Sequence, residues 1–202
     1  MRRGIAAQIS QRPEWAVIAE ATNGRDAVTL ALRNKPDLIV LDLSMPELNG
    51  LVAASKIAAA LPQSRILILT VHDSEQIVRE VLAAGAQGYI LKSDAGRVLM
   101  TALDSLLAGG SFFTPKVGKM VIDGYLRKPD AAAPAGAGML SAREREIVQL
   151  LAEGKSNKEV ATVLGISVKT AETHRGNIMR KCGFDSLADL VRYAIRNHII
   201  EP

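Results

Sequence analysis

One cysteine, Cys182, is present among 202 residues. A lone thiol closes no intramolecular disulfide and builds no cysteine-based metal site, which excludes a secreted disulfide scaffold and fits a reducing, cytoplasmic setting. Aromatic residues amount to only 3%. No apolar run approaches the ~18 residues that a membrane-spanning helix needs, so no membrane partner is expected. The start, Met1-Arg2-Arg3-Gly4-Ile5-Ala6-Ala7-Gln8, is basic but meets Gln, Ser and Arg before a secretory core develops. No sign of charge dominates either: 25 Lys+Arg against 21 Asp+Glu leave +4, which permits a nucleic-acid partner without demanding one. What is present is ordinary for a folded chain, with 48% hydrophobic and 23% charged residues, and this excludes a disordered tail.

The clearest break lies between Thr114-Pro115 and Met139. It contains Lys128-Pro129-Asp130-Ala131-Ala132-Ala133-Pro134-Ala135-Gly136-Ala137-Gly138, whose small residues and prolines build neither a core nor a helix. The expected division is residues 1–115, a linker over 116–138 with a short helix over Lys116–Leu126, and a second domain over 139–202. Charge follows this division. Residues 1–115 carry 11 basic and 11 acidic groups, whereas Lys155 to Lys181 alone holds 6 basic against 2 acidic.

The first part alternates strand-like and helix-like patterns. Ala16-Val17-Ile18-Ala19 is a short apolar run. Asn23 caps a helix that Asn34-Lys35-Pro36 ends. Leu38 to Leu41, Arg65 to Leu69 and Tyr89 to Leu91 read as buried strands, the first apolar on both faces. Helices follow to about Leu61, from Ser74 to Ala84 and from Val98 to Leu107. This alternation predicts parallel β-α-β units, which bind ligands at the carboxyl ends of their strands. The second part is all helix. Ser141-Ala142-Arg143-Glu144 and Ser156-Asn157-Lys158-Glu159 are capping boxes, Ser167 starts a third helix, and Asp185 or Ser186 a fourth.

Three strand ends carry chemistry. Asp42, Thr70 and Lys92 follow successive apolar runs, so a carboxylate, a hydroxyl and an ammonium converge at one sheet edge. A phosphoryl group on Asp42 could be held by the other two.

With these residues in view, Leu41-Asp42-Leu43-Ser44-Met45-Pro46-Glu47-Leu48-Asn49-Gly50, Leu69-Thr70 and Gly85-Ala86-Gln87-Gly88-Tyr89-Ile90-Leu91-Lys92 resemble the receiver domain of bacterial response regulators. Leu140-Ser141-Ala142-Arg143-Glu144-Arg145-Glu146 through Lys181 resembles the LuxR-type helix-turn-helix. Together they resemble the NarL/FixJ family. The resemblance implies a flavodoxin-like α/β receiver with a parallel sheet, joined to an all-α, four-helix DNA-binding domain. It implies Asp42 as phosphoacceptor, Thr70 and Lys92 as phosphate sensors and Tyr89 as an aromatic switch that turns when Thr70 moves. It also implies Mg²⁺ held by Asp42 and the Ser44 main-chain carbonyl, and a sensor histidine kinase as phosphodonor.

One part of the pattern is missing. Receivers begin with a strand that ends in two acids, and this chain opens on residues that resemble the interior of the first helix. Its first acid, Glu14, does not replace that pair. The expectation is a truncated sheet with unpaired strand edges and weak metal-assisted phosphorylation of Asp42. Either the start has been placed too late or the receiver is degenerate; the intact downstream motifs favour a late start.

In a helix-turn-helix the second helix enters the major groove. Here it spans about Val168 to Cys182, with Lys169, Glu172, Thr173 and Gly176 on one face. Glu172 and Thr173 are candidates for base contacts. Lys158, Ser167, Lys169, Arg175, Asn177 and Lys181 are candidates for phosphate contacts, with Thr170 beside them and His174 either a contact or a packing residue. The last helix, through Leu187, Leu190, Val191, Ala194 and Ile195, is read as core and as a homodimer face on promoter DNA. Three functions follow from these features. The first is a DNA-binding regulator controlled by phosphorylation of Asp42. The second is a phosphorylation-independent DNA binder whose receiver serves dimerisation. The third is an aspartyl phosphatase, which the lack of a second carboxylate at positions 43 and 44 disfavours, so no enzyme is expected.

Overall fold

Strands form where leucine and β-branched residues run without interruption, and helices where Asn or Ser can cap an amphipathic stretch. In the computed structural model, which describes residues 1–126 and 140–201, the order is α1 (Arg2–Ile9), α2 (Gly24–Asn34), β1 (Leu38–Asp42), α3 (Gly50–Ala60), β2 (Arg65–Thr70), α4 (Glu75–Ala83), β3 (Gly88–Leu91) and α5 (Ala95–Leu107). The two-residue strand β4 (Phe112–Phe113) and α6 (Pro115–Leu126) complete the first unit. The four strands lie parallel in the order β1-β2-β3-β4.

Side chains alternate across each strand, so the sheet feeds two cores. Leu41, Ile66, Ile68 and Tyr89 enter one, covered by α2, α3 and α4. Leu67, Leu69 and Ile90 enter the other, under α5, with Ile5 and Ile9 of α1 and Trp15 at its margin. Helix starts are fixed locally. Asn23 accepts from the Asp26 N–H at 2.8 Å, and Asn49 from the Val52 N–H at 3.0 Å. Lys35, left-handed at φ 47°, ends α2 just before Pro36.

Four expectations need correction or completion. Ala16-Val17-Ile18-Ala19 is no strand. Its residues run beside β1, and among the described residues no backbone hydrogen bond joins the two. Among the described residues no strand lies between them, and their backbone groups face a gap of about 750 Å³ lined by Ile5, Trp15, Ile18, Leu38, Val40 and Leu103. For the same reason β1 is not buried on both faces: Leu41 is buried, while Leu38, Ile39 and Val40 are half-exposed. The strand β4 gave no sequence signal, because two residues show no period. Finally, the stretch 116–138 does not begin as a free linker. Helix α6 packs Val117, Met120 and Val121 on the first core, close to α4. The Lys128–Gly138 segment lies outside the described residues.

The second unit is α7 (Ala142–Ala152), α8 (Asn157–Leu164), α9 (Val168–Cys182) and α10 (Leu187–Arg196). Reciprocal capping boxes join Ser141 to Glu144, Ser156 to Glu159 and Ser186 to Asp189. Gly165 takes the left-handed conformation, φ 63°, that the tight turn between α8 and α9 requires. Ile147, Leu150, Leu151, Val160, Ile178, Leu190 and Ala194 form its core, with the half-buried Cys182 packed against them.

Candidate functional site

Parallel pairing sets the register that builds the site. Asp42, last in β1, stands beside Leu69, so Thr70 ends β2 one position further on, opposite Leu91 of β3. Lys92 follows directly, its N–H donating to the Thr70 carbonyl at 2.7 Å. The Lys92 Nζ lies 2.7 Å from Asp42 Oδ2, and the Ser44 N–H donates to Asp42 Oδ1 at 3.1 Å. Both groups are accessible in part, with side-chain exposures of 34% for Asp42 and 18% for Lys92. The loop that follows Asp42 is folded back tightly: a Cβ at Gly50 would meet the Asp42 carbonyl oxygen at 2.2 Å, so only glycine fits there.

Thr70 is buried and its hydroxyl accepts the His72 N–H at 3.1 Å. Tyr89 is fully buried, and its hydroxyl donates to the His72 carbonyl at 2.5 Å. Burial pushes the phenol far above the ordinary tyrosine range, with the Asp73 charge adding to it, so it stays protonated and remains a donor. The sheet thus brings Asp42, Thr70 and Lys92 to one edge, while Tyr89, further back in β3, reaches the loop beyond it through its hydroxyl.

The same edge does not fit Mg²⁺ well. Among the described residues no three His, Cys, Asp or Glu side chains cluster as a metal site, and one Asp42 oxygen already faces Lys92. Asp42 and the Ser44 carbonyl alone leave a hard octahedral cation short of anionic oxygens.

The second unit offers a different surface. On α9 only Ala171 and Ile178 are buried. Lys169, Thr170, Glu172, Thr173, Gly176 and Asn177 are exposed, as is Lys158 on α8, whereas His174 and Arg175 are half-buried. Several candidate contacts already have partners. Ser167 caps the Thr170 N–H at 3.0 Å, and the Thr173 hydroxyl donates to the Lys169 carbonyl at 2.9 Å. Lys181 donates to Glu144 at 2.7 Å, which holds that carboxyl below its ordinary range. Lys169 is 88% exposed at its side chain and lies 3.9 Å from Glu172. The expected dimer face is smaller than the sequence stripe: Leu190 and Ala194 are buried in their own core, which leaves Leu187 exposed and Val191 half-exposed.

One set of contacts had no counterpart in the sequence reading. Helix α7 turns polar side chains onto the Asp42 edge. The Gln149 amide donates to the Met45 carbonyl at 2.8 Å and accepts the Asn49 N–H at 2.7 Å, spanning the loop. Glu153 accepts the Glu47 N–H at 3.0 Å. Glu146, 2% exposed, pairs with Lys56, with Arg143 at 3.0 Å and with Arg25 at 3.6 Å. Arg145 reaches Glu80 of α4 at 3.3 Å. The available signal was polar residues at 146, 149 and 153, spaced for one face of a helix that also carries Arg143, Glu144 and Arg145.

A sheet unit of this kind, docked beside capped helices that leave a cationic helix open, defines a two-domain, DNA-binding signalling protein. Comparison with known proteins narrows the class. A family model for the response regulator receiver domain matches residues 1–104, and one for bacterial regulatory proteins of the luxR family matches residues 138–194. The oxygen regulatory protein NreC of Staphylococcus epidermidis is 34% identical over 206 residues, covering 100% of this chain and 94% of that protein. A two-component response regulator of the LuxR family from Aurantimonas sp. SI85-9A1 superposes with a TM-score of 0.58 at 32% identity, covering 62% of this chain and 90% of that one. RcsB from Salmonella enterica serovar Typhimurium, bound to the promoter P1flhDC in the presence of the phosphomimetic BeF3-, gives 0.56 at 26% identity, covering 95% and 91%. The chain belongs to the NarL/FixJ family of response regulators. It is a DNA-binding regulator of transcription in a two-component system, not an enzyme.

Proposed function

We propose that Asp42 is the phosphoacceptor and that its phosphorylation by a sensor histidine kinase controls DNA binding. The observation that carries this reading is the Lys92 Nζ at 2.7 Å from Asp42 Oδ2, at the edge where Thr70 ends the adjoining strand. An Asp42 oxygen attacks the phosphorus of the donor, a P–O bond forms, and the donor leaves with the electron pair of its broken bond. Lys92 balances the added charge, and the Thr70 hydroxyl donates to a phosphoryl oxygen. To do so Thr70 gives up its present arrangement with His72, which frees room for the Tyr89 ring. No step passes through Mg²⁺.

DNA is read by α9. Lys169 is its principal phosphate contact, and Thr170, Glu172, Thr173 and Asn177 face the groove. Lys158, Ser167, His174, Arg175 and Lys181 flank it. Two copies pair through Leu187 and Val191 on a two-fold DNA site. The protein works in the cytoplasm, where promoter DNA is; no described helix is long and apolar enough to cross a membrane.

Intact-mass measurement after incubation with a small-molecule phosphodonor tests the first claim. One phosphoryl adduct is expected in the native chain and none in Asp42→Ala; an adduct that persists in the variant refutes it. For the DNA claim, Lys169→Ala with Lys181→Ala should weaken binding and flatten its salt dependence by up to about two charges. Most of the loss belongs to Lys169, since Lys181 already serves Glu144. Unchanged affinity at two salt concentrations refutes the assigned face.

A further inference from the structure

Between the strand ends and the DNA-binding unit stands one residue that no motif singled out. The main chain of His72 is held by both proposed switch residues, its N–H by the Thr70 hydroxyl at 3.1 Å and its carbonyl by the Tyr89 hydroxyl at 2.5 Å. Its side chain meets the DNA-binding unit. The imidazole lies against that of His198, with ring centroids 4.0 Å apart and planes at 50°. His198 is in turn fixed to the end of α10: its N–H donates to the Ile195 carbonyl at 3.0 Å, and the next residue, Ile199, is buried in the helical core.

We propose that His72 is a positioning residue that couples the Thr70–Tyr89 pair to α10 of the DNA-binding unit through its ring contact with His198. Any change that moves the Thr70 hydroxyl or the Tyr89 ring removes a hydrogen bond from the His72 main chain and so shifts the ring on which His198 rests. The displacement reaches α10, which carries Leu187 and Val191 and packs against α7. The route differs from the Gln149 clamp, which grips the Asp42 loop at Met45 and Asn49, and it runs through two side chains outside the α9 face assigned to DNA. The switch roles of Thr70 and Tyr89 rest on the functional reading above; the ring contact does not.

The contact carries a chemical signature. Two imidazoles face each other, and His72 Nε2 is buried with no hydrogen-bond partner among the described residues. Burial, then the facing His198, holds the His72 imidazole below its ordinary pKa; Lys92 acts the same way, while Glu201 and Asp42 oppose it. The nearby Asp73 is neutralised by Lys116 of α6. A depressed pKa in the docked state means that docking is favoured while the ring is neutral. The contribution is complete above the free-imidazole pKa of about 6.5 and is lost as pH falls through the lower docked value.

The test uses the full chain without phosphodonor. Small-angle scattering follows the docked population, and hydrogen exchange at the Glu47 and Asn49 amides, which α7 side chains protect, reports it independently. In the native chain the docked population should fall between about pH 8 and about pH 5.5. His72→Ala and His198→Ala should each lower the docking constant about three- to tenfold, the range expected for one ring pair, and the double variant should add nothing. His72→Phe keeps the ring and should stay docked, without the acid response; this variant also covers the case in which His72→Ala folds poorly. Docking that is equal in the native and alanine chains, or native docking that ignores pH, overturns the proposal. Because no phosphate is used, failure of Asp42 to accept a phosphoryl group would refute the functional reading and leave this result unaffected.

Discussion

The helical unit closes every element on itself, whereas the sheet unit is finished on one side and open on the other. In the helical unit three of four helices carry full capping boxes and Ile147, Leu150, Ile178 and Leu190 are sealed from solvent. In the sheet unit β2 and β3 are covered on both faces, while β1 borders the gap beside Ala16–Ala21, where Val17 and Ile18 are 39% and 56% exposed. The difference is one of range. Caps join residues three apart, but a parallel strand needs a partner brought from elsewhere in the chain. Stability should therefore be unevenly spread, and the Asp42 site, at the end of β1, sits where the sheet is least supported.

Substitutions can break this contrast. Ile178→Ala opens a cavity in a closed core and should cost about 3 kcal/mol in denaturant unfolding, whereas Leu38→Ala, already half-exposed beside the gap, should cost well under half of that. Equal losses would show that the gap is closed in solution. Ser141→Ala removes a cap and should cost about 1 kcal/mol, with fraying confined to the start of α7 by hydrogen exchange. A smaller effect concerns acid. The Lys181 hydrogen bond, then the Ser141 N–H, holds the Glu144 carboxyl below its ordinary range in the folded state. Its contribution is present above the unfolded carboxylate pKa and vanishes as pH falls through the lower folded value. Lys181→Ala should flatten the acid limb of the stability profile of the helical unit, and an unchanged limb would remove this ion pair from the account. Least of all, Ile18→Ser should change stability by no more than about 0.5 kcal/mol, since that side chain packs little.

Legibility in the sequence followed the same division. Asn23, Ser74, Ser141, Ser156, Ser167 and Ser186 announce helix starts, and each one caps its helix. The apolar runs before Asp42, Thr70 and Lys92 announce strands, so the ends of those runs could be placed at one edge. Ala16–Ala19 looks equally strand-like, yet its fate depends on a pairing partner and not on its own residues. The two phenylalanines of β4 are too few to show a period. Gln149, Glu146 and His72 went unread for a different reason: their importance lies in what another unit brings against them. Even the last helix, with its clean apolar stripe, did not reveal which leucines face inward, and Leu190 and Ala194 proved to be core.

The most direct test of control through Asp42 is the affinity of the full chain for promoter DNA, measured with and without a small-molecule phosphodonor, in the native protein and in Asp42→Ala. Control through Asp42 requires that the donor change the affinity of the native protein and leave that of the variant untouched. Affinities that ignore both the donor and the substitution would contradict it.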